Sequence, residues 1–399
     1  MEFYKDCYDI ITDPLYNKIT SLELITTTKC QNACKYCYRV KNQQEGPIIG
    51  MSVSKAKMYI ENAIEMGLVD NKYMNIEIFG GEPIIDIDYI KDLLNLVKNY
   101  TNNIIIPTNG RILENIKDHD IDEIINAADG KVFFSLSVDS PFQENINRPL
   151  STFGKMQGFT QNRNWERLLY LSKKYKMGFH PMLSFETADK WYDTWEYFIN
   201  NEAHCYLLEV RHPLNKEQMF EAVYQLSKIK KEIIKRKFKD VFNTTTPSYI
   251  SRGVTCSAQT TLGINSDGCV YFCHRLMNER FKLADLNTKE IDISKFVMWK
   301  SLFHNGNAIT CMSCPIRKIC GKQCLGAIFE YWGSNGCLTI PIPSICQYIL
   351  LKYYIFSCFF DEWKKHIDMY SNKKTLENAV LGNFGENFIN NLKEKIESV

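Results

Sequence analysis

The 399-residue chain lacks several features, and each absence narrows what it does. It has little net charge, +2 at neutral pH, so nothing in its balance draws it to nucleic acid or to an anionic membrane. The local basic run from Lys228 to Lys239 shares a helical period with Ile229, Ile233 and Ile234, and reads as a solvated helix face. The N-terminus lacks an apolar segment. Glu2, Lys5, Asp6 and Asp9 interrupt its first ten residues, which excludes a secretion signal of the usual kind. No hydrophobic run is long enough to span a bilayer. The most apolar, Tyr348 to Phe360, is short, is interrupted by Lys352, and reads as a buried helix. There is no internal repeat and no low-complexity segment. A cytoplasmic protein with neither nucleic-acid nor membrane partner is expected.

Cysteine, by contrast, is plentiful. Fifteen cysteines without a secretion signal point to metal sites rather than disulfides. They are clustered: Cys30, Cys34 and Cys37 form one group, and a second runs from Cys256 to Cys346. Cys7, Cys205 and Cys358 lie outside both and read as small buried residues.

Between about residues 20 and 240, β-branched runs alternate with helical periods. Strands are expected at Ser21–Thr28, Met74–Phe79, Asn103–Pro107, Lys131–Val138, Met177–Phe185 and Cys205–Arg211. Helices are expected at Ser52–Met66 (with Ser52 as N-cap), Asp88–Tyr100, Ile112–Ala128, Trp165–Tyr175, Ala188–Asn200 and Lys216–Phe238. Six βα units imply an α/β fold, a parallel sheet with helices outside it. Six are too few for a closed eight-stranded barrel, so a partial (β/α)6 barrel of the TIM type is expected. Its active site would lie at the C-terminal ends of the strands. Asn243 to Pro247 is a polar break. Short strand-like pieces, turns and cysteines follow, then helix over the last fifty residues. The domains expected are an N-terminal extension (1–19), the partial barrel (20–240), a cysteine-rich domain (241–348) and a C-terminal helical segment (349–399).

The segment Cys30-Gln-Asn-Ala-Cys34-Lys-Tyr-Cys37-Tyr38 follows the first strand directly. Three thiolates on one loop hold three irons of a [4Fe–4S] cluster and leave the fourth iron open for chemistry. Chance is one alternative, with about 0.02 random matches to this spacing expected. A zinc site is another, and it would have to borrow a fourth ligand.

This spacing resembles that of the radical S-adenosylmethionine (SAM) superfamily. Tyr36 matches the aromatic that lies against the adenine in that family. Gly80-Gly81-Glu82-Pro83, directly after the second strand, matches its Gly-Gly-Glu-Pro segment. Glycines allow close backbone approach, and Glu82 or an edge carbonyl can take the methionyl ammonium. Asn109, Ser137 and Asp139 stand at the depth of the ribose or methionyl carboxylate, where a turn or cap role is the alternative. The resemblance implies a SAM-binding [4Fe–4S] cluster, an external donor such as flavodoxin or ferredoxin, and a 5′-deoxyadenosyl radical that abstracts a hydrogen atom from substrate.

The later cysteines resemble the SPASM extension of that superfamily. Cys256 is followed by Gly268 and Cys273, then by Cys311-x-x-Cys314-x5-Cys320-x3-Cys324 and by Cys346. The resemblance implies two auxiliary [4Fe–4S] clusters in a C-terminal auxiliary domain. One would be held by Cys311, Cys314, Cys320 and Cys346, the other by Cys256, Cys273 and Cys324. Cys269 is a possible extra ligand of the second, and Cys337 competes with Cys346. A pair of zinc ribbons is the alternative.

SPASM enzymes mostly modify peptides or proteins, which implies a ribosomally made peptide as substrate. Ser135-Leu-Ser-Val-Asp139 and Asn147-Arg148-Pro149 resemble the peptide maturases. Sulfatase-activating members carry an aspartate base directly after the Gly-x4-Cys cysteine. His274 stands there instead, able to take a proton near neutral pH, with a surface role as its alternative. Only about twenty residues precede the first strand, so an N-terminal leader-binding winged helix is not expected; a separate leader-binding protein, the C-terminal helices, or a substrate without a leader are the alternatives. Sulfatase maturation, small-molecule dehydrogenation and non-catalytic electron transfer are the other functions weighed.

Overall fold

The strands Asn75–Gly80 and Ile104–Thr108 alternate in burial, Ser21–Thr27 is buried almost throughout, and the helices between them bury one stripe. The computed structural model of the protein describes residues 19–39, 47–69, 74–205, 208–209, 212–236, 260–298, 314–316, 324–333, 340–359 and 373–398. By contacts, the chain falls into two compact units. The first comprises Met1–Val138, Glu144–Phe179 and Ser257–Asn305, the second Asp139–Gln143, His180–Cys256 and Gly306–Val399.

In the first unit, β1 (Ser21–Thr27), α1 (Val53–Glu65), β2 (Asn75–Gly80), α2 (Ile87–Val97), β3 (Ile104–Thr108), α3 (Asp118–Ala127) and β4 (Val132–Val138) follow one another, and β1 to β4 pair in parallel. Ser52 caps α1 by accepting from the Lys55 amide, as its sequence position implied, and Asp86 caps α2 in the same way. Leu22, Leu24, Ile76, Ile78, Ile104 and Ile106 are fully buried. Residues between them on β2 and β3 (Asn75, Glu77, Phe79, Ile105, Pro107) are only half-buried. One face of the sheet is therefore an apolar core and the other is partly open.

The helix expected from Ile112 starts at Asp118. Gly110 turns the chain with φ +74°, and Asn109 Oδ1 accepts from the Arg111 amide, so residues 111–116 form turns instead. α4 (Trp165–Tyr175) matches its expected bounds. Two short helices, Glu144–Asn147 and Thr152–Met156, were not expected.

β5 (Gly178–Leu183) stops two residues earlier than expected, because Ser184 opens a 3-10 turn over Phe185–Lys190. In the second unit Met182 and Leu183 pair in parallel with β6 (Leu208–Glu209), the described part of the strand expected at 205–211. α5 (Trp191–Asn200) buries Trp191 and Trp195. It packs against α6 (Lys216–Lys235).

β7 (Thr261–Ile264), β8 (Cys269–Tyr271), β9 (Ala284–Asp285) and β10 (Glu290–Ile291) belong to the first unit. The order there is β10-β9-β8-β7-β1-β2-β3-β4, with β7 parallel to β1 and the added strands antiparallel. These cysteine-bearing pieces thus extend the sheet. Gly268 makes the β7–β8 turn at φ +87°, where a Cβ would lie 2.5 Å from Asn287 and 2.8 Å from the Tyr59 ring. α8 (Pro343–Phe359), α9 (Lys373–Phe384) and α10 (Glu386–Glu397) complete the second unit, as the helical end of the sequence implied, together with α7 (Leu325–Trp332), a helix where strand-like pieces and turns were expected.

Candidate active site

Cys30, Cys34 and Cys37 lie on one loop just past the C-terminal end of β1. Cys30 and Cys34 are buried and Cys37 is half-buried. The Cys37 amide donates to the Cys34 carbonyl at 3.0 Å, which folds the second half of the loop into a turn. Two N–H groups approach the Cys30 sulfur: the Asn32 amide at 3.4 Å and the Asn109 side chain at 3.5 Å. Burial pushes the Cys30 thiol up to about 12, and the Glu82 carboxylate adds to this. A buried thiol that already faces N–H donors becomes a stable thiolate once a metal supplies the positive charge.

Gly80 and Gly81 bring the end of β2 against this loop. A Cβ on Gly80 would lie 2.5 Å from the Thr27 carbonyl oxygen, and one on Gly81 2.2 Å from that of Lys29. Glu82 is 1% exposed, and Pro83 beside it is buried. Glu82 Oε1 accepts from Thr108 Oγ1 at 2.6 Å and from the Ile84 amide at 3.2 Å, and its Oε2 accepts from the Asn109 amide at 2.7 Å. Burial raises its pKa, and these three donors oppose the rise. Its carboxylate clamps the ends of β2 and β3 together. Asn109 also donates to Gln31 Oε1 at 3.1 Å, so its side chain braces the cysteine loop from the end of β3.

The segment from Asn147 to Gly154, around the first unexpected short helices, straps the loop. The Ala33 amide donates to the Pro149 carbonyl, Lys35 to Asn147, and Ser151 to Gln31, all within 2.7–2.8 Å. Ser151 Oγ donates to the Cys30 carbonyl at 2.7 Å. A Cβ on Gly154 would sit 2.3 Å from the Gln31 carbonyl oxygen. Arg148 donates to the Tyr36 hydroxyl at 2.9 Å. Arg111, 1% exposed, donates to Asn32 Oδ1 and to the carbonyls of Thr160, Gln161 and Asn162. It also lies 3.8 Å from Glu114, which Arg163 contacts at 3.0 Å. Gln31, Asn32, Arg111 and Gly154 were not singled out from sequence. A lone arginine three residues past a strand end carries no pattern by itself.

Ser137 is half-buried near the end of β4, and Asp139 is buried in the second unit. His274 follows Cys273, a buried residue just past β8. The His274 amide donates to Glu23 Oε2 at 2.8 Å, and its Nδ1 lies 3.0 Å from Glu23 Oε1. The ring stacks on Phe79 at 4.2 Å and 17°. Glu77 pairs in register with Glu23 across β1 and β2. Burial, and secondarily the Glu23 charge, raise the Glu77 pKa to about 7, with His274 acting the other way. Neither glutamate was picked out from sequence. The available signal was a carboxylate inside each of two apolar strands.

Of the remaining expected ligands, Cys314 and Cys324 are half-buried and Cys346, on α8, is exposed. Cys256, Cys311 and Cys320 lie outside the described residues.

The loop suits an iron–sulfur cluster. Three free cysteines share one short loop, N–H donors face the Cys30 sulfur, and two buried amide nitrogens, Nδ2 of Asn32 and of Asn147, have no partner among the described residues. Donors of this kind serve cluster sulfides or a polar ligand. The loop stands at the C-terminal edge of a parallel sheet, where α/β folds carry their active sites. Residues 24–197 match the Radical SAM superfamily, and that segment is a radical SAM domain. The family implies a [4Fe–4S] cluster and SAM. The chain is 30% identical over 112 residues to a probable GTP 3′,8-cyclase of Methanococcus maripaludis, a match covering 27% of this chain and 35% of the cyclase. It therefore spans about a third of that relative. It is 24% identical over 367 residues to the radical SAM cyclopropyl synthase TigE of Paramaledivibacter caminithermalis, covering 79% of this chain and 70% of TigE. Among solved structures, anSMEcpe with bound AdoMet aligns over 88% of this chain and 99% of its own, with a TM-score of 0.65 at 16% identity. Streptococcus suis SuiB bound to S-adenosylmethionine aligns over 82% and 77%, with a TM-score of 0.53 at 15% identity. These two share the fold. Among the described residues, no helix is long and apolar enough to cross a membrane.

Proposed function

We propose that this radical SAM enzyme uses a 5′-deoxyadenosyl radical to crosslink or oxidise a side chain or α-carbon of a ribosomally made peptide. The observation that carries the radical step is the strapped three-cysteine loop, whose thiols leave a fourth cluster position for SAM. Cys30, Cys34 and Cys37 would hold the cluster. The Asn32 and Asn109 N–H groups would stabilise its thiolates, and Tyr36, fixed by Arg148, would lie at the adenine. When bound, the cluster and SAM supply the radical. The protein's part is to hold the substrate carbon nearby and to exclude water.

The bond-forming outcome draws on the match with TigE, a cyclopropyl synthase that aligns with 79% of this chain, since closing a carbon ring joins two carbons at the expense of hydrogen. His274, held by Glu23 on the open face of the sheet, would accept the proton. Cys273, Cys314, Cys324 and Cys346, with Cys256, Cys311 and Cys320, would hold two auxiliary clusters that take up the substrate's remaining electron. A flavodoxin or ferredoxin would supply reducing electrons, and a separate protein would present any leader.

The test is anaerobic co-expression with short peptides encoded beside the gene. The modified peptide should lose about two mass units, the mark of two hydrogens removed, and 5′-deoxyadenosine should accumulate. Cys34→Ala should abolish both. Formylglycine formation on a sulfatase, with every such peptide untouched, would put the enzyme in the sulfatase-maturing class instead.

A further inference from the structure

We propose that Glu77 is a recognition site for a cationic side chain of the substrate, of the lysine or arginine type. The inference rests on reading the open face of the β1–β4 sheet as the reaction chamber. Glu77 is the third residue of β2 and shares that face with Asn75 and Phe79. It is half-buried. Its neighbour across the strands, Glu23, is 1% exposed and accepts from the His274 amide through Oε2, with His274 Nδ1 3.0 Å from its Oε1. The charged groups that act on Glu77 among the described residues are Glu23 and His274. No lysine or arginine is among them. Two carboxylates against one imidazole leave this patch negative whenever Glu77 is ionised.

Folding alone gives no reason to keep such a pair. A second carboxylate beside a buried one is unfavourable by burial and by like-charge repulsion. Carboxylates kept in that state mark functional sites more often than structural ones. The surroundings also fit the shape of the cation. On β3, Ile105 stands in register with Glu77 and is half-buried, so it offers an apolar wall at the level of the carboxylate. A lysine or arginine has an apolar stem and a charged tip, which matches a wall with a carboxylate beside it. A guanidinium or ammonium there would donate to Glu77 in a charge-assisted hydrogen bond and relieve the repulsion from Glu23. Free water would do so only weakly.

The experiment has two arms, both on the full-length reconstituted enzyme at pH 8. In the first, binding of n-butylguanidinium and n-butylammonium is compared with that of neutral n-pentanol by calorimetry or ligand-observed NMR. The cations should bind and pentanol should not. Glu77→Gln should weaken cation binding by about tenfold or more, the scale of one lost charged hydrogen bond. Glu77→Asp should keep a preference for the cations, which separates lost charge from misfolding. In the second arm, a randomised peptide library is selected on the parent and on Glu77→Gln. The parent should enrich Lys or Arg at one position, and the variant should lose that enrichment. Equal cation binding by parent and Glu77→Gln, or no preference over pentanol, overturns the proposal. Peptides enriched without a basic residue, and equally by the variant, overturn it while leaving the peptide reading intact. Glu77-dependent cation binding with no peptide enriched supports the cation site and counts against the peptide reading.

Discussion

The cysteine loop and the Glu23–Glu77 pair stand on the same sheet, yet their polar groups are treated in opposite ways. Around the loop, many polar groups are bonded, Nδ2 of Asn32 and of Asn147 apart: Glu82 receives three donors, Arg111 holds three carbonyls, and Gln31 is gripped from two sides. At the pair, Glu23 accepts from the His274 amide, while Glu77 is left with a like charge as neighbour. The first arrangement fixes a loop in one shape, as a cluster cradle requires. The second keeps a charge short of counter-charge, which suits a group that meets its partner only when substrate arrives. The bonded arrangement thus belongs to the cysteine loop and the unmet charge to Glu77.

The largest effect expected from breaking this contrast is at Arg111. Arg111→Met keeps the apolar stem but strips donors from Asn32 Oδ1 and from the carbonyls of residues 160–162. It also leaves the Glu114 carboxylate, 4% exposed, with Arg163 as its remaining close cation. Breaking a buried charged network of this kind costs about 3–5 kcal/mol. Denaturant titration should show a loss in that range, with iron uptake at the loop falling alongside. A loss under about 1 kcal/mol would mean that the loop holds its shape without this brace.

What the sequence made legible here divides along the same line. The cysteine spacing, Gly80-Gly81 and the strand that precedes each could be read because their chemistry is local, with ligand and turn residues adjacent in the chain. α4 and the capped start of α1 were legible for the same reason. The strap from Asn147 to Gly154 was not, because its grip on residues 30–35 depends on a chain separation of more than a hundred residues. Nor was the start of α3, since the turn at residues 111–116 answers to Arg111's distant carbonyl partners rather than to its own helical period. Glu23 and Glu77 each look like a surface residue in a half-buried strand until the parallel register puts them side by side. The placement of β7 to β10 on the edge of β1 is likewise a matter of pairing, which periodicity cannot report.

An intermediate effect, of opposite sign, is expected at Glu77. Its pKa is raised in the folded protein from the ordinary carboxylate range to about 7. Between these two values the folded state binds more protons than the unfolded one, so stability falls as pH rises through that window. Below it both states are protonated and the cost vanishes. Above about pH 7 the full cost of a half-buried charge beside Glu23 is present. Glu77→Gln removes it, and should stabilise the protein at pH 8 by about 1–3 kcal/mol. At pH 4.5 the gain should shrink toward zero. Thermal unfolding of both proteins across this range checks the sign. A variant less stable than the parent at pH 8 would show that Glu77 has a structural partner, and the contrast between the two regions would fail.

The smallest effect is expected at Phe79, two residues along the same strand face. Its ring stacks on His274 at 4.2 Å, but His274 is separately held by Glu23 through its backbone amide. Phe79 is half-buried, so Phe79→Leu replaces a ring that already meets solvent with a smaller apolar group. The loss is that of one aromatic contact and some area, about 1 kcal/mol. Gly80, the next residue, offers a comparison within the same strand: Gly80→Ala forces a Cβ to within 2.5 Å of the Thr27 carbonyl oxygen at φ +154° and should cost clearly more. Measured side by side in denaturant, the two variants locate the boundary between the region built to stay fixed and the one built to receive. If Phe79→Leu costs as much as Gly80→Ala, the boundary does not run between these neighbours, and the open face is as tightly built as the loop.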